Sequence, residues 1–126
     1  HLPSNILVDL DSPRLFDMSY TRSADAYIGD VSSQVYEFLT HRGACFFLDS
    51  AGQVGEDGAL PYQFWENGDV CGDVQELARW VPLWDQRAET YRATQDRLFQ
   101  YTMDIDPQRN AAQRGADALL AYAQRL

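Results

Sequence analysis

The sequence predicts an α/β domain: a parallel sheet of three strands, followed by a helical C-terminal section. Three observations predict it. Short apolar runs alternate with helical patterns over residues 1–48, the connections between them are short, and residues 73–126 carry three more helical patterns. Strands joined through helices lie parallel.

Asn5-Ile6-Leu7-Val8-Asp9-Leu10 is a short apolar run that reads as the first strand. It ends at Asp11-Ser12-Pro13, with Pro13 suited to the first turn of a helix that runs through about Ser23 on the Leu15 and Met18 stripe. Ala26-Tyr27-Ile28 is the second strand. A second helix is expected from Ser32 to His41, with Val35, Phe38 and Leu39 inward and Gly43 as its C-terminal cap. Ala44-Cys45-Phe46-Phe47-Leu48 is almost wholly apolar, as a strand covered on both faces must be. The order β-α-β-α-β follows. Sheets of this kind usually carry about five or six strands, so residues 1–126 read as one part of a larger domain.

Residues 49–72 form a glycine-rich, acidic stretch that reads as a long loop, anchored by Tyr62, Phe64 and Trp65, with Cys71 inside it. Asp73-Val74-Gln75-Glu76 has the spacing of a capping box, and Pro82 should end the helix it opens near Trp80. Trp84, Ala88, Tyr91, Leu98 and Thr102 mark a long helix, broken by Asp106-Pro107. Ala112, Ala116, Leu119, Leu120 and Ala123 mark the last one. Trp80 and Trp84 are expected to pack helices on the sheet.

Composition removes several function classes. The net charge is −9 and lysine is absent, which opposes non-specific binding of DNA or RNA, because backbone contacts need cations that displace counterions. No apolar run approaches the roughly 20 residues that span a bilayer. Cys45 and Cys71 lack metal spacing and are expected to be free thiols of a cytoplasmic protein. Asp9, Asp11 and Asp30 show no metal-ligand pattern, and no metal is expected. His1 is given no role. His41 lies at the far end of its helix from the turn discussed next, so no catalytic residue is assigned.

That turn is the informative one. In Ile28-Gly29-Asp30-Val31-Ser32-Ser33-Gln34-Val35-Tyr36-Glu37, a strand feeds a small-residue turn and then a helix. Such a turn aims backbone N–H groups beyond the carboxyl end of the strand, where open α/β sheets hold anions. Ser32 and Ser33 can donate to phosphate oxygens. Glu37, four residues after Ser33 and on the same helix face, can accept both hydroxyls of a ribose. The plainer reading makes both serines helix caps. Gly29 and Asp49, each at the end of a strand, are in position to face a ligand.

The block from Ala24 to Phe38 resembles the "SD-x-L-I-T-D-Y-S-S-x-x-F-D-Y" signature of the CDP-glycerol glycerophosphotransferase family, GT-B-type enzymes of bacterial teichoic-acid and capsule synthesis. Arg42-Gly43-Ala44-Cys45-Phe46-Phe47-Leu48-Asp49 is similar to the family's "K-R-P-x-x-F-Y-x-x-D", and Asp104-Ile105-Asp106 and Arg114-Gly115-Ala116-Asp117 weakly resemble its last helices. Glu37 stands where the family more often has Asp, Val31 where it has Tyr, and Gly29 where it has Thr. The resemblance implies that residues 1–126 are part of a C-terminal Rossmann-like lobe, with the donor diphosphate at Asp30, Ser32, Ser33 and Gln34 and the ribose at Glu37. It implies a transferase that moves glycerol phosphate from CDP-glycerol to an acceptor hydroxyl, with no cofactor beyond that nucleotide-linked donor. An N-terminal lobe, a membrane-associated acceptor and a place at the inner face of the membrane would complete it. The same turn also suits a nucleotide-sugar transferase or epimerase, or a non-catalytic flavodoxin-like module.

Overall fold

The computed structural model describes residues 3–125; His1 lies outside them. Its centre is strand β2 (Ala44–Leu48), whose apolar residues are buried from Ala44 to Phe47. On one side β2 pairs in parallel with β1 (Ala26–Gly29), from Ala26 opposite Ala44 to Gly29 opposite Phe47. On the other it pairs in parallel with β3 (Asp69–Cys71), from Phe46 opposite Asp69 to Leu48 opposite Cys71. The sheet order is β1-β2-β3. Alternation along β2 then divides the core. Cys45 and Phe47 meet Val35, Phe38, Leu39 and Trp65 on one face, and Ala44 and Phe46 meet Ala88, Leu77 and Trp80 on the other. Each fully buried Phe of β2 contributes about 1.5–3 kcal/mol by leaving water.

The α/β class and the three-stranded parallel sheet hold, but the strands are not the three expected. Residues 5–10 are outside the sheet, with Ile6, Leu7, Val8 and Leu10 exposed. Turn chemistry overrides the apolar run there. The Asp9 carboxylate accepts from the Ser12 N–H (3.0 Å), the Ser12 hydroxyl and the Tyr20 hydroxyl (2.5 Å), which pins a turn. These bonds, Ser12 first, hold the Asp9 carboxyl far below its ordinary range.

The helix expected from Pro13 to Ser23 is broken into a 3-10 turn, Pro13–Leu15, and α1 (Ser19–Ser23). Met18 between them is left-handed (φ 63°), and Asp17 accepts from the Ser19 N–H (2.9 Å), a local bond that competes with helix continuation. The next helix starts later than Ser32: α2 spans Val35–Phe38 and tightens into a 3-10 turn, Leu39–His41. Its left-handed terminal residue is Arg42 (φ 59°), not Gly43.

The stretch 49–72 is not all loop. It holds a 3-10 turn, Gln63–Asn67, and then β3, so Cys71 lies in a strand; both cysteines are free and buried. Burial pushes the Cys45 thiol up to about 12 and the Cys71 thiol to about 11. The aromatic anchor is present. Trp65 is buried, stacks on Phe47 and meets the Tyr62 ring edge-on.

Asp73 caps α3 (Val74–Trp80) by accepting from the Glu76 N–H (2.8 Å), while the Glu76 carboxylate reaches back to the Gly72 N–H (2.9 Å). A 3-10 turn around Pro82 leads into α4 (Trp84–Met103), which buries Ala88, Gln95, Leu98 and Phe99 against the sheet. Trp80 packs there, but Trp84 is exposed. The fully buried Gln95 amide donates to the Gly43 carbonyl (3.0 Å) and the Asn67 carbonyl (2.8 Å), which ties together the entries to β2 and β3. The last helix, α5 (Ala111–Ala123), buries none of its residues. Among the described residues no helix is long and apolar enough to cross a membrane.

Candidate functional site

Parallel β1 and β2 end side by side at Gly29 and Leu48, so the turns that follow them share one edge of the sheet. The turn after β1 is held from beneath and within. Trp65 donates its indole N–H to the Asp30 carbonyl (2.7 Å), and the Asp30 carboxylate accepts from the Val31 N–H (2.6 Å). The Ser32 hydroxyl accepts from the Gln34 N–H (3.2 Å), a bond that starts the helical turn. Tyr27 curls over Gly29, where an added Cβ would lie 2.5 Å from its hydroxyl, so a larger residue there must displace the Tyr27 ring. Burial pushes the Tyr27 phenol above its usual range, against a hydrogen bond with Ser32 that lowers it.

Gln34 and Glu37 project from the start of α2 into a cavity of about 160 Å³. Its other walls are Arg14, Leu15, Met18, Tyr20 and Thr21. Arg14 was not legible as a partner of this turn. The break at Met18 folds the 13–21 segment back so that its guanidinium shares a cavity with Glu37, and among the described residues Arg14 makes no ion pair within 4 Å. A cation, a carboxylate, an amide and two hydroxyls thus border one hollow. That set can bind a phosphate through Arg14 and sugar hydroxyls through Glu37. The hollow has room for part of a ligand rather than the whole, since whole-ligand pockets run from about 300 Å³ upward.

The other expected site residues are dispersed. Asp30 and Ser33 are exposed, Ser32 is half-buried, and none of the three lines the cavity. Gly29 serves the packing of Tyr27. Asp49 is buried, and its carboxylate accepts from the Gln53 N–H (2.8 Å) and the Val54 N–H (2.9 Å). It organises the loop after β2. Those two bonds, Gln53 first, hold its carboxyl below the ordinary value near 3.8. His41 donates from Nε2 to the Ala24 carbonyl (3.2 Å) and packs on the Phe38 ring, away from the cavity.

The Asp49 bonds set a pH dependence. A carboxyl whose folded pKa is depressed adds stability above its unfolded pKa and loses it as the pH falls through the folded one. Asp49→Asn is therefore expected to lower the melting temperature at pH 7, with the deficit shrinking as the pH falls below about 4. Thermal melts of both proteins across pH 2–7 check this.

Two larger hollows, of about 280 Å³ lined by Glu76, Arg79, Trp80 and Leu83 and of about 300 Å³ lined by Leu7, Asp9, Leu15 and Tyr20, do not include the β1–α2 turn. Among the described residues no group of three or more His, Cys, Asp or Glu side chains is placed to hold a metal ion. No family model, no curated protein and no solved structure matches the chain.

Proposed function

We propose that this chain binds a nucleotide-linked donor at the turn between β1 and α2, as the donor half of a GT-B-type transferase. The observation that carries the reading is the cavity shared by Arg14, Gln34 and Glu37 beside the carboxyl end of β1. The likeness of residues 24–38 to the glycerophosphotransferase signature supports it. Glu37 accepts the ribose hydroxyls. Arg14 offsets phosphate charge, a task that the four-residue α2 is too short to perform through its dipole alone. With CDP-glycerol, an acceptor hydroxyl attacks the β-phosphorus, the bond to the bridging oxygen breaks and CMP leaves. Glu37 is taken up by the ribose in this reading, so the proton of the acceptor hydroxyl goes to a base outside the cavity.

Isothermal titration tests the reading. CDP is expected to bind with a dissociation constant at or below about 1 mM. Glu37→Ala and Arg14→Ala should each weaken it about tenfold, the loss of one charge-assisted hydrogen bond. Absence of heat with both CDP and UDP, at millimolar nucleotide and with a folded chain, contradicts it.

A further inference from the structure

We propose that the Asn67–Gly68 bond is a deamidation site that folding holds shut, so that opening of the chain at this point becomes irreversible. Asparagine followed by glycine is the pair most prone to this chemistry, because no side chain shields the next backbone nitrogen from the amide. The chain has three asparagines and only Asn67 precedes a glycine; Asn5 precedes Ile6 and Asn110 precedes Ala111. The Gly68 nitrogen gives up its proton and attacks Cγ of Asn67; the Cγ–Nδ2 bond breaks and ammonia leaves with that proton. Water then opens the cyclic imide at either carbonyl, which leaves aspartate or isoaspartate at position 67. No electrons are exchanged, and water is the one co-reactant.

The fold restrains each atom of that step. The Gly68 N–H donates to the Trp65 carbonyl (3.4 Å) and Nδ2 of Asn67 donates to the Phe64 carbonyl (2.9 Å). Nucleophile and leaving group are thus each engaged with a carbonyl of the 3-10 turn Gln63–Asn67. From the other side the Gln95 amide holds the Asn67 carbonyl (2.8 Å). Asn67 is 0% exposed, so the water that the second step consumes is excluded. Both members of the pair have a task in the fold. The Asn67 amide ties the turn together, and a Cβ at position 68 would overlap the Cys45 carbonyl.

The product does not fit the place it came from. A carboxylate oxygen where Nδ2 stood faces the Phe64 carbonyl with no proton between them. The other oxygen, Oδ1, is already a buried acceptor without a donor among the described residues. A buried, unpaired charge is among the costliest changes a fold can meet. Isoaspartate carries its Cβ in the main chain and so lengthens the link to β3, whose pairing with β2 begins two residues later, at Asp69 opposite Phe46. Chains that deamidate while open are therefore removed from the refolding pool.

Peptide mass spectrometry of the whole chain, aged at neutral pH in buffer and in urea beyond its unfolding midpoint, tests this without any nucleotide. In urea Asn67 should lose its amide before Asn5 or Asn110 does. In buffer, where the step waits on opening, the rate at Asn67 should be at least about a hundredfold lower. After dilution from urea, unmodified chains should recover the near-ultraviolet aromatic signal of the sheet core, and chains modified at position 67 should not. Asn67→Asp should reproduce that failure without ageing. Equal rates at Asn67 in buffer and urea overturn the inference, as does earlier loss at Asn5 or Asn110 in urea. So does a modified or Asn67→Asp chain that regains the native aromatic signal.

Discussion

Trp65→Ala is expected to destabilise the fold by about 4 kcal/mol, the cost of removing a fully buried tryptophan and leaving a cavity. Domains of this size are stable by roughly 5–15 kcal/mol, so the variant should retain little of its native population under mild denaturant. The loss is large because Trp65 joins three parts of the molecule. Its ring stacks on Phe47 of β2 and meets Tyr62 of the connecting segment, and its indole N–H holds the Asp30 carbonyl of the β1–α2 turn. Trp65→Phe separates the two contributions. It keeps most of the ring and loses the donor, so it should cost less, about 1 kcal/mol for the bond beyond the volume lost. Urea unfolding of the three proteins measures both. Near-equal stability of Trp65→Ala and wild type contradicts the packing described.

Arg87→Ala carries the second large effect, a loss of about 3 kcal/mol. Asp69 at the start of β3 is 8% exposed and receives two bonds from Arg87, 2.8 Å from Nε and 2.5 Å from Nη2, and one from the Tyr91 hydroxyl at 3.0 Å. The guanidinium also lies over the Trp80 ring, 4.8 Å from its centre, so truncation removes packing as well as charge. The fork geometry raises the Arg87 pKa, chiefly through the hydrogen bonds to Asp69, so the guanidinium keeps its charge. Removing one partner strands a buried charge, whereas removing both need not. Arg87→Met/Asp69→Leu should therefore recover most of the stability that Arg87→Ala loses. A double variant as unstable as the single one contradicts this account of β3.

The same pair explains why β3 was illegible in the sequence. Asp69-Val70-Cys71 is three residues long, opens on an acid and follows a glycine, and none of these signals a strand. Its place is set by partners far along the chain: Arg87, Tyr91 and the Gln95 amide. Gly68 is required by the same approach, since a Cβ there would overlap the Cys45 carbonyl and lie 2.6 Å from its carbon. β2 was legible because its own five residues, apolar in succession, fit only a strand covered on both faces. α3 and α4 were legible for a similar reason, through the Asp73 cap, the Pro82 stop and a long helical period. The run at residues 5–10 misled in the opposite direction. Its apolar residues satisfy the strand pattern, but the bonds converging on Asp9 favour a turn, and no periodicity reports side chains eleven residues apart such as Tyr20. For the candidate site, Gln34 and Glu37 could be read from local spacing. Arg14 could not, because its approach depends on the left-handed Met18.

The central claim, that a nucleotide sits beside the β1–α2 turn, is tested most directly by amide and arginine side-chain NMR shifts during a CDP titration of the labelled chain. The account predicts saturable shifts concentrated at Asp30–Glu37 and at the Arg14 guanidinium, and much smaller shifts in Glu37→Ala at a nucleotide concentration near the wild-type dissociation constant. Shifts centred instead on Glu76, Arg79 and Trp80, or no saturable shift at all from a folded chain, would contradict it.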